Sequence, residues 1–223
     1  MLARRFPESA EALTFYEAVA LFQRDATPQK LLDLVAARGP DLLRNVAGEL
    51  AREPTRNFDD ACRDVVDAYQ SGQDRSSPKS FFGRVLLQAE TALAPFELLA
   101  TEASAEDCPR CGHAPQVGCL VPEGDGTAFT LSCSLCFGEW RYPRERCPSC
   151  RETGDAKLVS YHAPELEHLE LRACETCHVY LNMIRRAKAP DAVPDVDEIA
   201  ALPLDAWAQE HGYRKLVRNL IGV

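Results

Sequence analysis

Up to about residue 105 the apolar positions of the chain recur with a helical period. Ser9 to Arg24 places Leu13, Tyr16 and Ala20 on one stripe. Thr27-Pro28 supplies a cap and a first-turn proline for a second helix carrying Leu31, Leu34 and Val35, which Gly39 stops. A third, with Leu42, Leu43, Val46 and Leu50, must end before Pro54. Asn57 caps a fourth, in which Phe58, Cys62, Val65 and Tyr69 share a face and Gly72 closes the run. Ser77-Pro78 opens a fifth with Phe81, Phe82, Val85, Leu86 and Leu93, broken at Pro95. These stripes predict a helical bundle, with Cys62 as a small buried residue of its core.

Beyond Asp107 the pattern changes to short β-type runs: 116–121, 127–132, 139–142, 158–162, 169–172 and 179–184. Gly124-Asp125-Gly126 marks a hairpin between the first two, and Gly154-Asp155 precedes the fourth. The tail returns to helix over 196–201 and 204–211, with Gly212 as the stop. The expected fold is therefore α+β and multi-domain. A helical domain covers 1–105, small rubredoxin-like or zinc-ribbon β units cover 106–144 and 145–190, and a helical tail covers 191–223.

Cysteine gives the β part its chemistry. Of ten cysteines, eight stand in C-x-x-C pairs: Cys108/Cys111, Cys133/Cys136, Cys147/Cys150 and Cys174/Cys177. They form one repeated unit, C-x2-C-x21-C-x2-C followed by C-x2-C-x23-C-x2-C. A C-x-x-C turn aims two thiolates at one point, and two such turns complete a tetrahedron that suits zinc or a rubredoxin-type iron, so two metal ions are expected. Pairing within each repeat gives each β unit a site of its own; cross-braced pairing of alternate turns is the alternative. Units of this size bury too little apolar surface to fold alone, and a bound ion adds folding free energy of about 10 kcal/mol or more. Only the first turn carries glycine directly after its second cysteine; Phe137, Arg151 and His178 stand there in the others.

Composition narrows the function classes. A net charge of −9 over 223 residues argues against a protein whose main affinity is for nucleic-acid phosphates. Arg141, Arg144, Arg146 and Arg151 do cluster between the central cysteine pairs, which keeps a nucleic-acid-binding zinc ribbon as an alternative. Glu8, Glu11 and Glu17 interrupt any apolar export segment after Arg4-Arg5, and no window is apolar enough to span a membrane. A cytoplasmic protein is expected, where thiols stay free for metal. Cys174-Glu-Thr-Cys177-His178 matches a c-type haem attachment pattern, but both cysteines are needed for the second tetrad. A redox dithiol or a cycling iron site is a further alternative. Cys119 reads as a core residue, as do His113, His162 and His168 as ordinary hydrogen-bonding side chains. Trp140 and Tyr142 read as packing beside Cys136 rather than as a base-stacking platform.

The run Cys108-Pro-Arg-Cys-Gly, Cys133-Ser-Leu-Cys with Glu139-Trp140, Arg146-Cys-Pro-Ser-Cys150 and Cys174-Glu-Thr-Cys-His-Val-Tyr-Leu181 resembles the formate dehydrogenase accessory protein family, FdhE. Val193-Pro194 to Asp197, Leu202 to Asp205 and Gly212-Tyr213 are similar to that family's closing segment. The resemblance implies a cytoplasmic assembly or maturation factor, not an enzyme, that binds the formate dehydrogenase catalytic subunit before its export. It also makes iron a candidate beside zinc at Cys108, Cys111, Cys133, Cys136, Cys147, Cys150, Cys174 and Cys177. A homodimer is compatible with these features and is not specified by them.

Overall fold

The computed structural model of the chain describes residues 2–23, 27–52, 58–70, 77–91, 98–99 and 105–220. The side chains of 2–3, 58–63 and 155 fall outside that description. The expected core role of Cys62, the cap at Asn57 and the stops at Pro54, Gly72 and Pro95 therefore lie outside the described residues.

One compact unit, Ala10–Ala92 with Leu220–Gly222, is helical. It contains α2 (Ala10–Phe22), α3 (Pro28–Arg38), α4 (Asp41–Leu50), α5 (Phe58–Gln70) and α6 (Ser80–Thr91). The sequence signals act as expected at α3: the backbone N–H of Lys30 donates to the Thr27 hydroxyl at 3.4 Å, Pro28 fills the first turn and Gly39 is the C-cap. Most of the apolar stripes are buried, with Leu31, Val35, Leu43, Leu50, Phe82 and Val85 all nearly inaccessible, but Leu42 and Ala20, expected on the same faces, are exposed. Helices α5 and α6, and α3 and α4, pack on each other most extensively, and Phe81 stacks on Phe15 at 5.9 Å.

The other unit, Met1–Ser9 with Leu93–Asn219, holds the short helix α1 (Leu2–Arg5), the sheet and the tail helices. All six expected strands form: β1 (Pro115–Glu123), β2 (Gly126–Cys133), β3 (Glu139–Arg141), β4 (Leu158–His162), β5 (Leu169–Cys174) and β6 (Val179–Arg185). A two-residue turn at Gly124-Asp125 closes β1 on β2, and Gly124 alone has positive φ there, the pattern of a type II′ hairpin. The periodicity did not reveal a seventh strand, β7 (Arg214–Lys215), or that one sheet runs through both cysteine repeats in the order β3-β2-β1-β6-β5-β4. The seam is β1 against β6, parallel, with Gly118 opposite Met183. A Cβ on Gly118 would stand 2.5 Å from both Met183 Sδ and the Phe129 ring, so only glycine lets these layers meet. Both seam strands are buried along most of their length, as parallel strands covered on both faces should be.

The tail helices, α7 (Pro194–Ala200) and α8 (Leu202–Glu210), begin about two residues earlier than the apolar pattern suggests because Pro194 and Pro203 occupy their first turns. The tail is fastened to the sheet by buried charge. Lys215 on β7 pairs with Glu198 of α7 and, at 2.6 Å, with Asp205 of α8, while Asn182 on β6 donates to Asp205 at 2.8 Å. Burial opposes the Lys215 charge, yet the two carboxylates outweigh it and hold the amine above its ordinary range. His168 and Asp197 make a second buried contact at 3.0 Å, and Asp197 also accepts from the Val193 N–H at the start of α7. Among the described residues no helix is long and apolar enough to cross a membrane.

Lys215→Met would leave the Glu198 and Asp205 carboxylates buried without their counter-charge. The expected cost is about 3 kcal/mol or more of unfolding free energy, read as a lower urea midpoint; an unchanged midpoint would show that the pair does not fasten the tail.

Candidate metal centres

Each cysteine pair sits on a tight backbone knuckle at the end of a strand or just before one. At the first, the N–H of Gly112 donates to the Cys108 carbonyl at 2.8 Å and the N–H of Cys108 to the His113 carbonyl at 2.9 Å. The third repeats this with Arg151 to Cys147 at 3.0 Å and Cys147 to Glu152 at 2.8 Å, and the fourth shares the bond from His178 to Cys174 at 2.8 Å. The residue after the second cysteine is left-handed in all four: Gly112 at φ +70°, Phe137 at +60°, Arg151 at +65° and His178 at +54°. The knuckle thus takes the same shape with or without glycine, although left-handed backbone costs an ordinary residue roughly 1 kcal/mol or more. Three of the four knuckles bear that strain; the bonds just described hold the third and fourth, and the second has the bond from the Cys133 N–H to the Gly138 carbonyl at 3.0 Å.

The hairpins bring the knuckles together in sequence order. The first and second pairs gather Cys108, Cys111, Cys133 and Cys136; the third and fourth gather Cys147, Cys150, Cys174 and Cys177; in each group all sulfurs lie within 4.8 Å of one another. The cross-braced alternative is not what the chain does. Contacts across the knuckles are 3.6 Å (Cys108 to Cys136), 3.4 Å (Cys111 to Cys133), 3.8 Å (Cys147 to Cys177) and 3.7 Å (Cys150 to Cys174). A tetrahedron of metal–sulfur bonds about 2.3 Å long has edges of about 3.8 Å, so both clusters have the dimensions of a four-thiolate site that can hold an ion. Backbone N–H groups already point at sulfur: Leu135 to Cys133 at 3.3 Å and Ser149 to Cys147 at 3.4 Å. The four thiols cannot all ionise unaided. Hydrogen bonds from Cys111, Cys133 and Cys136 draw Cys108 far below the ordinary thiol range, and those with Cys108, Cys111 and Cys136 push Cys133 far above it. A central cation removes that conflict by favouring the thiolate at every position.

The two clusters differ in cover. In the first, Cys108, Cys133 and Cys136 are buried and Cys111 is half-buried; in the second, Cys147 and Cys174 are buried, Cys177 is half-buried and Cys150 is exposed. The second knuckle is sunk throughout: Leu135, at the position where the other knuckles carry Arg110, Ser149 and Thr176, is only 2% exposed. Behind the second cluster a recess of about 20 Å³ is lined by Cys147, Cys174, Arg146 and Arg172, placing cationic side chains beside the thiolates. Arg172 also lies over the Phe129 ring at 6.0 Å and was not singled out by spacing.

The remaining candidates take structural places. Trp140 is buried and its indole N–H donates to the Ala105 carbonyl at 2.8 Å, while the hydroxyl of buried Tyr142 donates to the Cys147 carbonyl at 3.3 Å; neither offers a stacking face. Of the arginine cluster, Arg141 pairs with Glu123, and Arg146 and Arg151 reach Glu106 at 4.0 and 2.9 Å. Arg144 is exposed, and Arg151 stays largely exposed within its pair. His113 turns back to the Cys111 carbonyl at 3.0 Å, His162 lies 3.7 Å from Glu170, and exposed His178 rests near the Tyr213 ring at 5.9 Å; none joins a thiolate group. Cys119 is buried on β1, and burial, with Glu139 adding to it, raises its pKa to about 12. It is a poor nucleophile and a poor ligand.

Comparison with known proteins follows the same lines. Residues 146–221 match the family described as FdhE, C-terminal domain, a stretch that includes the whole second cluster. A protein FdhE homolog of Aquifex aeolicus is 38% identical over 117 residues, 52% of this chain and 41% of that protein. One from Haemophilus ducreyi is 32% identical over 106 residues, 48% of this chain and 34% of that protein. The matched stretch thus spans well under half the length of these relatives. The crystal structure of the FdhE protein from Pseudomonas aeruginosa superposes with a TM-score of 0.62 at 26% identity, covering 91% of this chain and 73% of that one.

Two outcomes test the local geometry. Gly112→Ala meets no atom within 4 Å, so its cost is the left-handed backbone alone, about 1 kcal/mol; a loss well above that in thermal unfolding would mean that the knuckle tolerates no Cβ. Cys119 should resist iodoacetamide in the folded chain at neutral pH and react once denaturant is added, and rapid labelling of the native protein would contradict its burial.

Proposed function

We propose, from the premise that the chain belongs to the FdhE family, that it is a metal-binding accessory protein for the assembly of a formate dehydrogenase. In this reading it binds the catalytic subunit of that enzyme in the cytoplasm, before export, and catalyses no reaction itself. The observation that carries the reading is the pair of four-cysteine clusters with tetrahedral dimensions, set in one sheet within a chain of FdhE fold. Cys108, Cys111, Cys133 and Cys136 hold one ion, and Cys147, Cys150, Cys174 and Cys177 hold the other. Zinc and iron both suit four sulfurs at these spacings. Four protein ligands fill a tetrahedron and leave no position for a reacting water, which favours a role in holding shape and presenting surface over hydrolysis.

Metal analysis of anaerobically prepared protein should give two ions per chain, and its visible spectrum should separate coloured ferric iron from colourless zinc. One ion or none would break the two-site reading. With the full chain as bait, the formate dehydrogenase catalytic subunit should co-purify from anaerobic extracts of cells making that enzyme; its absence would overturn the accessory role while leaving the metal sites standing.

A further inference from the structure

The two clusters share knuckle shape, sulfur spacing and ligand set, yet they meet solvent differently. In the first, Pro109, Arg110 and Gly112 are exposed around half-buried Cys111, but the Ser134-Leu135 dipeptide and the cysteines on either side of it are buried, and three of the four ligands are covered. In the second, both knuckles lie at the surface: Ser149, Cys150 and Arg151 are exposed on one, Thr176 and His178 on the other. Cys147 and Cys174 form the covered back of the site, and Cys150 and Cys177 its front. The back is held by structure. Cys174 ends β5, and the carbonyls of His178 and Tyr180, which follow it, accept from the N–H groups of Arg214 at 2.8 Å and Leu216 at 2.9 Å.

We propose that the second cluster is a ligand-exchange site, in which a thiolate from outside the chain replaces Cys150 on the bound ion, whereas the first cluster is closed. The proposal rests on the reading of both clusters as metal sites. An entering thiol gives up its proton, its sulfur bonds the metal, and the Cys150 sulfur leaves and takes up a proton; the metal keeps its oxidation state and four sulfur ligands throughout. A soft thiolate suits a site that selects sulfur, and hard oxygen ligands do not. The front edge is the only part of either cluster where an exposed ligand gives such a group a path to the ion. Arg146 and Arg172 line the recess on the covered side of the site, away from Cys150.

The test uses the full chain loaded with zinc and first assayed for two ions. Under limiting iodoacetamide, peptide mapping by mass spectrometry should find Cys150 labelled at least roughly tenfold faster than Cys108, Cys111, Cys133 or Cys136, because access to the sulfur sets its reactivity. One ion should leave with that labelling and one should stay. In parallel, 2-mercaptoethanol should speed transfer of a single ion to a chromogenic zinc chelator by roughly threefold or more, since exchange proceeds through the entering sulfur. Equal labelling of both clusters, loss of both ions together, or transfer indifferent to the thiol would overturn the exchange site while two ions per chain keeps the metal reading. Fewer than two ions at the outset would overturn both.

Discussion

Sulfurs held 3.4 to 3.8 Å apart are the constraint from which the β part of the molecule is built. Four thiolates that close repel one another strongly in a covered site, so nothing but a rigid frame and a central cation can keep them there. The frame is the knuckle: Cys108 and Cys147 are bonded at both N–H and carbonyl, Cys133 at its N–H and Cys174 at its carbonyl. Three of the four knuckles force an ordinary residue into left-handed backbone, a cost accepted in order to aim sulfur. The spacing of the knuckles follows from the same requirement. A hairpin returns the chain to the end it started from, so the up-and-back course of β1 and β2 from Pro115 to Cys133 lets the first knuckle meet the second. Strands β4 and β5, with the turn between them, do the same for the third and fourth.

Metal-sized clusters replace much of what a core would do at each end of the sheet, while the middle is an ordinary apolar interior. Gly118 opposite Met183 marks the place where the two hairpins become one sheet. A parallel pairing there needs a covered crossover, and the tail helices α7 and α8 supply part of the cover, with α7 packed on both seam strands. Because cover brings polar atoms into the interior, the charges of Lys215, Glu198 and Asp205 answer one another there. Buried pairs of this kind add little net stability but specify one arrangement, since any slip leaves a charge unmet.

Local features of this plan were legible in the residues, and relations between distant ones were not. Alternation, β-type composition and the Gly124 turn located six strands to within about two residues, since each depends only on near neighbours. Cap signals did the same for α3, where Thr27, Pro28 and Gly39 each act as their types suggest. The C-x-x-C spacing named the thiolate groups because two knuckles on a hairpin have few other ways to meet. The parallel seam was hidden, since pairing of 118–120 with 183–185 leaves no mark in either segment alone. Strand β7 is two residues long and too short for any periodicity. Glycine follows the second cysteine at one knuckle only, yet Phe137, Arg151 and His178 adopt the same left-handed backbone at a local cost of roughly 1 kcal/mol or more.

The polarity of four dipeptides carries more meaning than their number suggests. Pro-Arg, Ser-Leu, Pro-Ser and Glu-Thr fill the knuckles, and only Ser-Leu has an apolar side chain at the second position. Leu135 accordingly draws its knuckle inward, and the first cluster gains a wall that the second lacks. The second cluster is fastened from behind, where β4 pairs Leu158 with Cys174 and β7 pairs with Val179 and Tyr180 just after the fourth knuckle. A site fastened on one side and open on the other can change a front ligand without unfolding its back. One buried leucine, set against polar residues at the same place in three sister turns, is thus enough to make two chemically identical ligand sets physically unequal.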